Sequence, residues 1–309
     1  MQTQATVIYH SGDWDGIFCR EIARHFLKAE LLTLIGWDYK DPKIPFPTAG
    51  TVYVMDLNPE CFESFPGIDV AQSRVIWIDH HKTAIDKWGT YLPGYRLDGV
   101  AACRLAWQWL SRGYGGGSGM ENAVTNNLSG ELPCKEYFLE RKVSEPTAVM
   151  LAGEYDIWDH RGDGDKELQL GLGAEVPEPD WARLFGPEGT RYTTELCTNG
   201  SFIQRYLERA AAIKVQEAFI LSWQGLRFLA LNDASKGSLT FEARDVPQTG
   251  HDALMRFYWT GKAWEFSLYH AKHNTDIDLS AIAAKYGGGG HRGACGFRTK
   301  QIPFPLYPQ

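Results

Sequence analysis

The sequence lacks any long apolar run. Nothing in its 309 residues approaches the roughly 18 consecutive apolar side chains that a membrane-spanning helix needs. Its six cysteines, at 19, 61, 103, 134, 197 and 295, form no CxxC pair and follow no disulfide-framework spacing. No Arg-rich or apolar leader precedes the first strand-like run, so a reduced, cytoplasmic protein with no membrane partner is the expectation. Basic residues are also short, with 31 Lys and Arg against 38 Asp and Glu and a net charge of -7. That balance excludes a broad nucleic-acid-tracking surface, which needs a concentrated basic stripe. A short, highly charged substrate held by metals and a few basic side chains stays compatible with it. No segment recurs at the period of about 20–50 residues that marks a solenoid.

What is present describes a folded chain: 44% hydrophobic and 22% charged residues. Its length suits two domains of about 100–200 residues each. Aromatics reach 13%, with eleven tryptophans, enough for large cores or for stacking surfaces, and a homodimer is compatible with either. The first half alternates strand and helix signals. ATVIYH, TVYVMD and RVIWID are short apolar runs. GIFCREIARHFLKAELL carries a helical stripe at Ile17, Ile22, Phe26, Leu27 and Leu31, and DGVAACRLAWQWLSR reads as a further helix. Buried strands with intervening helices predict an α/β fold with a mostly parallel sheet covered on both faces.

The Gly/Asn/Ser-rich stretch from Arg112 reads as a loop or excursion, PTAVMLAGEYD as a helix running into an acidic turn, and DWARLF as a short helix. SFIQRYLERAAAIKVQEAFILS reads as a long helix capped by Ser201. LRFLALN, DALMRFYWT and AWEFSLYHA then predict strands of a smaller mixed-sheet domain, with DLSAIAAKY as a last helix. The expected division is residues 1–198 for the first domain, 199–222 for a connector helix and 223–309 for the second domain.

Acidic residues and histidines gather where the first strands end. His10, Asp13 and Asp15 leave the first strand in HSGDWDG, Asp56 closes TVYVMD, and Asp79, His80 and His81 close RVIWID. Parallel strands bring such ends side by side, at the edge where open α/β sheets bind ligands. HxxDxD alone would be an ordinary capped turn, but its recurrence at successive strand ends argues for cations, since uncompensated carboxylates repel. Mixed imidazole and carboxylate suits Mn²⁺, Fe²⁺, Co²⁺ or Zn²⁺ better than Ca²⁺, and Mg²⁺ prefers oxygen alone. Two ions about 3.5–4 Å apart in such a cluster could activate a bridging water and stabilise phosphoryl oxygens.

HSGDWDG, the Asp of VMD and IDHH resemble the motifs of the DHH phosphoesterase superfamily, and GGGGHRGACG resembles the glycine motif of its DHHA1 subfamily. The resemblance covers nearly the whole chain. It implies a parallel-sheet catalytic domain followed by a smaller mixed-sheet DHHA1 domain, and two divalent ions, manganese foremost. It assigns His10, Asp13 and Asp56 to one ion and Asp15, Asp56, His80 and Asp156 to the other, with Asp56 bridging. His81 would face the substrate phosphate and help protonate the leaving group, and Asp79 would orient the histidines. Within EYDIWDH, Asp159 and His160 compete with Asp156; Asp156 is preferred, with Asp159 as a helix cap or supporting partner.

Successive glycines at 287–290 let backbone approach a ligand, and with the flanking helix and HRGACGF they predict a structured loop. Gly289, Gly290, His291 and Arg292 are its expected substrate contacts, Arg292 by its planar fork and His291 as a donor. The resemblance implies that this loop holds the substrate end distal to the metals. Asn274 and Asp276 would cap the last helix or touch the ligand, and Lys236 and Ser238 sit in an expected turn. His270 and His273 read as packing histidines, and Cys295 as small filler. Trp14 could pack or stack on a base.

The expected function is metal-dependent hydrolysis of linear dinucleotides or very short oligoribonucleotides to mononucleotides. The alternatives are a single-strand 5′-to-3′ exonuclease, a 3′-phosphoadenosine 5′-phosphate phosphatase, a cyclic-dinucleotide phosphodiesterase, or a nucleotide-binding regulator without catalysis.

Overall fold

Alternate residues of the early strands are buried against two different cores, which is what period-two side-chain alternation yields when both faces of a sheet are covered. The computed structural model describes residues 4–27, 31–47, 50–67, 74–90, 92–113, 132–234 and 250–305. It divides into two units, Met1–Ile203 and Gln204–Gln309.

In the first unit, β1 (Gln4–His10), β2 (Leu31–Trp37), β3 (Thr51–Met55), β4 (Arg74–Asp79) and β5 (Gly94–Arg96) form a parallel sheet in the order β2-β1-β3-β4-β5. Val7, Tyr53, Met55, Ile76 and Ile78 face one core with Phe18 and Ile22 of α1 (Trp14–Phe26), Leu105 and Trp109 of α3 (Ala102–Ser111) and Val149 of α5 (Thr147–Asp156). Ile8, Val52, Val54, Val75 and Trp77 face the other with Leu57, Phe62 and Ala84, the last on α2 (Lys82–Trp88). Between α3 and α5 lies the short α4 (Lys135–Leu139). Then come α6 (Asp165–Ala174), the short α7 (Trp181–Phe185) and α8 (Gly189–Lys214). The strand order reverses direction between β1 and β3, and in open sheets the crevice at such a switch point, beyond the carboxyl ends of the strands, is where ligands bind.

The second unit has a six-stranded mixed sheet in the order β10-β11-β9-β8-β7-β6, with α9 (Ser280–Lys285) before β10. The strands are β6 (Phe219–Trp223), β7 (Leu226–Asn232), β8 (Ala253–Trp259), β9 (Trp264–His270), β10 (Gly289–His291) and β11 (Ala294–Thr299). β7 and β8 pair in parallel and the other neighbours antiparallel. Phe228, Ala230, Met255 and Phe257 share one core with Leu279 and Ile282, and Leu229, Leu231 and Leu254 share a smaller one with Val215.

Four local readings need correction. Leu31 is not on the helix: α1 stops at Phe26 and Leu31 begins β2, because pairing of Leu31–Trp37 with β1 outweighs the helical period. Ser201 is no cap: α8 starts at Gly189, and the Ser201 hydroxyl bonds back to Thr198 O within the helix. Residues 219–222 are not helical but lie in β6, paired with β7. Finally, the glycine run is only partly a loop. Gly289–His291 forms an edge strand hydrogen-bonded to β11, with Gly290 at φ 130° facing Cys295. Side-chain propensity cannot announce a glycine strand whose partner supplies the pairing. Residues 114–131, Lys236 and Ser238 lie outside the described residues.

Candidate metal centre

The centre is built from the carboxyl ends of β1, β3 and β4 and the last residue of α5. At the end of β1 the chain turns directly into α1, and Asp13 caps that helix by accepting from Gly16 N at 3.1 Å. Gly16 is required there, since a Cβ would lie 1.9 Å from His10 O. The tight corner places His10 Nδ1 2.8 Å from Asp13 Oδ2 and 3.4 Å from Asp56 Oδ2. Asp56 follows β3 with φ 58°, a left-handed conformation uncommon for a residue other than glycine, and its side chain is buried.

A second group forms around His80. Its Nε2 lies 3.6 Å from Asp15 Oδ2, 3.4 Å from Asp56 Oδ1 and 3.3 Å from Asp156 Oδ2. Asp15 is buried and accepts the backbone N–H groups of Ala102 (2.9 Å) and Cys103 (2.7 Å) at the start of α3, where the helix dipole favours a negative charge. Asp79 is fully buried, and its Oδ1 accepts from His80 N (2.8 Å) and His81 N (3.3 Å) and pairs with His81 Nδ1 at 2.7 Å. Because a carboxylate cannot donate, His81 Nδ1 carries the proton and Nε2 is left for another partner.

Electrostatics fill this site with protons when no cation is present. Hydrogen bonding to Asp13, then Asp56, pushes His10 up to about 10. Burial opposes charge on His80, yet the Asp56 hydrogen bond and the charges of Asp15, Asp56 and Asp156 outweigh it and push it to about 10. Burial raises Asp15 and Asp156 to about 7, helped by their carboxylate neighbours. Burial also works against Asp13, but His10 holds it below the usual carboxylate range. The Asp79 hydrogen bond raises His81.

The donor set fits divalent ions. Potential ligand atoms converge in three groups: His10, Asp13 and Asp56; Asp15, His80 and Asp156; and Asp56, His80 and His81, each within 4.8 Å. Asp56 Oδ2 is buried and makes no well-formed hydrogen bond, with His10 Nδ1 standing off at 3.4 Å, a costly state that a cation would relieve. Among the described residues no Lys or Arg forms an ion pair with Asp13, Asp15, Asp56 or Asp156. Two competitors of Asp156 are engaged elsewhere: Asp159 pairs with Arg161, and His160 Nδ1 with Asp165.

In the second unit, Gly287–Gly290, Ser267, Tyr269 and Arg298 border an open cavity of about 580 Å³. Arg292 is exposed, and its guanidinium donates to Asp276 O. The strand backbone of His291 is described, but its side chain is not. Neither Asn274 nor Asp276 caps α9, whose N-cap position is Leu279; Asp278, the residue before it, accepts from Ser280 N at 3.0 Å. His270 and His273 bond to the carbonyls of Ile277 (2.7 Å) and His251 (2.8 Å), as packing histidines do. Cys295 is buried, with its thiol pushed up to about 11. Trp14 packs in the first core near Trp181.

Sequence reasoning missed three contributors. Tyr39, whose ring is 5.7 Å from that of His10, carries no motif signal. The α3 N–H groups that hold Asp15 leave no side-chain trace. Gly16 stood in the quoted motif, and its place between two acidic positions and a helix was the available clue.

No family model matches the chain, and no curated protein does. Solved structures do. The chain is similar to a pGpG-specific phosphodiesterase from Vibrio cholerae at 13% identity, over 97% of this chain and 94% of that one, with a TM-score of 0.39. An exopolyphosphatase-related protein from Bacteroides fragilis matches at 13% identity over 97% and 88%, with a TM-score of 0.45. RecJ from Thermus thermophilus in complex with Mg²⁺ matches at 15% identity over 98% of this chain and 48% of that one, with a TM-score of 0.48. The functional reading rests on the site itself.

Proposed function

We propose that the chain is a divalent-metal-dependent phosphodiesterase that hydrolyses linear dinucleotides or very short oligoribonucleotides to mononucleotides. The observation that carries this reading is the shared carboxylate. Asp56 turns Oδ2 toward His10 and Oδ1 toward His80, each at 3.4 Å, so one side chain serves two converging ligand groups. His10, Asp13 and Asp56 would hold one ion, and Asp15, Asp56, His80 and Asp156 the other; manganese, which the family resemblance implies, is among the ions that mixed imidazole and carboxylate suit. Such a pair of ions lowers the pKa of water and neutralises charge on a phosphoryl group.

The chain's own groups orient and protonate. Asp79 fixes the His81 ring through Nδ1, which directs Nε2–H toward a phosphate oxygen or the departing oxygen. The raised His81 pKa, caused by Asp79, favours the protonated form that such a donor needs. In this reading the glycine strand and Arg292 bind a terminal phosphate or nucleoside. Edge-strand N–H groups and a guanidinium suit a terminal phosphate, and a cavity of about 580 Å³ suits a nucleotide rather than a polymer track. The net charge of -7 supports a short substrate over a long one.

The test is a time course with purified protein, Mn²⁺ and 5′-labelled RNAs from dinucleotide to a long single strand, with Asp56→Asn as control. Turnover confined to the shortest substrates is expected. Rapid shortening of the long strand would move the protein to the exonuclease reading, and wild type matching the mutant on every substrate would favour a nucleotide-binding regulator.

A further inference from the structure

Helix α5 ends in a conformation that glycine normally fills, and here tryptophan fills it. Trp158 N donates to Tyr155 O at 3.1 Å and Asp159 N to Glu154 O at 2.9 Å, the paired bonds of a Schellman C-cap. The residue in the left-handed position of that motif is Trp158, at φ 57°. A bulky side chain is disfavoured there, and glycine would take the conformation without strain. Burial does not offset that strain, because Trp158 is 76% exposed. Folding alone gives no reason for an indole at this position.

Its surroundings give one. Trp158 stands two residues beyond Asp156, whose carboxylate faces His80 at 3.3 Å. The His160 ring meets Trp158 edge-on at 5.6 Å and Tyr155 at 5.8 Å, and Asp165 holds His160 through Nδ1. Three rings therefore cluster at the end of the helix that carries Asp156. Two of them, Tyr155 and Trp158, are exposed hydrophobic side chains. Flat aromatic faces next to a phosphate site are the ordinary means of holding a nucleobase, since every base offers a π-face.

We propose that Trp158, supported by His160 and Tyr155, is a base-stacking platform that makes the centre select phosphates bearing a nucleoside over inorganic or sugar phosphates. This deepens the phosphodiesterase reading and rests on it for the phosphate's position. Trp158 is then a specificity-determining residue. It acts in binding and leaves the chemical step to the metal ligands and His81.

Two variants separate the platform from a structural role. Trp158→Gly removes the ring and also the backbone strain, so it should be at least as stable as wild type. Trp158→Phe keeps a smaller ring. With pGpG and Mn²⁺, Trp158→Gly should raise KM about tenfold while kcat stays within about twofold, and Trp158→Phe should restore most of the loss. An analogue of pGpG lacking the base next to the scissile phosphate should show no difference between wild type and Trp158→Gly. Binding of pGpG and of ribose 5-phosphate to the same proteins with Ca²⁺ gives a readout that needs no turnover. If wild type cleaves neither pGpG nor any other dinucleotide or short RNA, the phosphodiesterase reading fails, and the binding arm still decides the platform. Weaker pGpG binding with unchanged ribose 5-phosphate binding upholds it. Equal pGpG binding by wild type and Trp158→Gly, or an equal loss on both ligands, overturns it.

Discussion

His81 Nδ1 lies 2.7 Å from Oδ1 of Asp79, a carboxylate with no exposure to solvent. The same oxygen also accepts the backbone N–H groups of His80 and His81, so one buried atom fixes both the ring and the turn that carries it. Asp79→Asn keeps an acceptor of nearly the same shape and removes the charge. Partners of this kind are worth about 10–100-fold in activity or metal affinity. The expected result is a fall of that size in kcat on a dinucleotide, with an unchanged circular dichroism spectrum. Full activity in the variant would remove Asp79 from the mechanism.

Asp56 gives a prediction that separates metal-free stability from function. In the metal-free protein its buried Oδ2 makes no well-formed hydrogen bond, with His10 Nδ1 at 3.4 Å, and its backbone sits at φ 58°. Asn tolerates that backbone better than most residues and carries no charge to desolvate. Asn also removes the charge that helps hold His10 and His80 protonated, so the two effects oppose and the metal-free Asp56→Asn variant should melt close to the wild-type temperature. Mn²⁺ at about a hundred times its Kd should stabilise wild type by about 2.7 kcal/mol and the variant far less. Differential scanning calorimetry with and without metal reads both effects.

Protonation of the empty centre should oppose the metal. Asp15 and Asp156 titrate near 7 instead of 3.8, and His10 and His80 near 10 instead of 6.5. All four pKa values are raised on folding, so each group's contribution to metal-free stability is full below its unfolded value. For the two carboxyls that contribution is lost as pH rises from about 4 to 7, and for the two histidines from about 6.5 to 10. Metal binding must expel these protons, so affinity should rise with pH through the same range. Calorimetric titration of Mn²⁺ at neutral pH, in buffers of different ionisation enthalpy, should show net proton release. Binding without proton exchange would contradict this account of the site.

The strand ends were legible because they combine two strong signals, a β-branched apolar run and an acidic or histidine stop, as in Val75–Asp79 followed by His80. For Asp156 the sequence offered only a preference, since three candidate ligands share EYDIWDH; in the fold Asp159 pairs with Arg161 and His160 with Asp165, while Asp156 faces His80. What escaped depends on distant pairing. Leu31 follows a helical period yet joins β2 because β1 offers an edge, and Gly289–His291 is a strand because β11 is beside it. The φ of Trp158 escaped for the converse reason: sequence rules place glycine there, and a tryptophan hides the cap.

Behind Asp156, α5 rests on a buried ion pair. Arg104 of α3 donates through Nε to Glu145 Oε1 at 2.9 Å, and both side chains are almost wholly buried. Its stem lies under Gly153, where a Cβ would meet Cγ and Cδ at 2.6 Å, so Arg104 fixes the height of the helix whose last residue is Asp156. Removing one partner strands the other charge; Arg104→Met should cost about 3–5 kcal/mol. Arg104→Met combined with Glu145→Leu replaces both charges by apolar groups and should recover most of that loss. Urea denaturation of the two singles and the double gives the cycle. Near-additive losses would mean that the two residues act separately, and that α5 is held by its apolar contacts rather than by the pair.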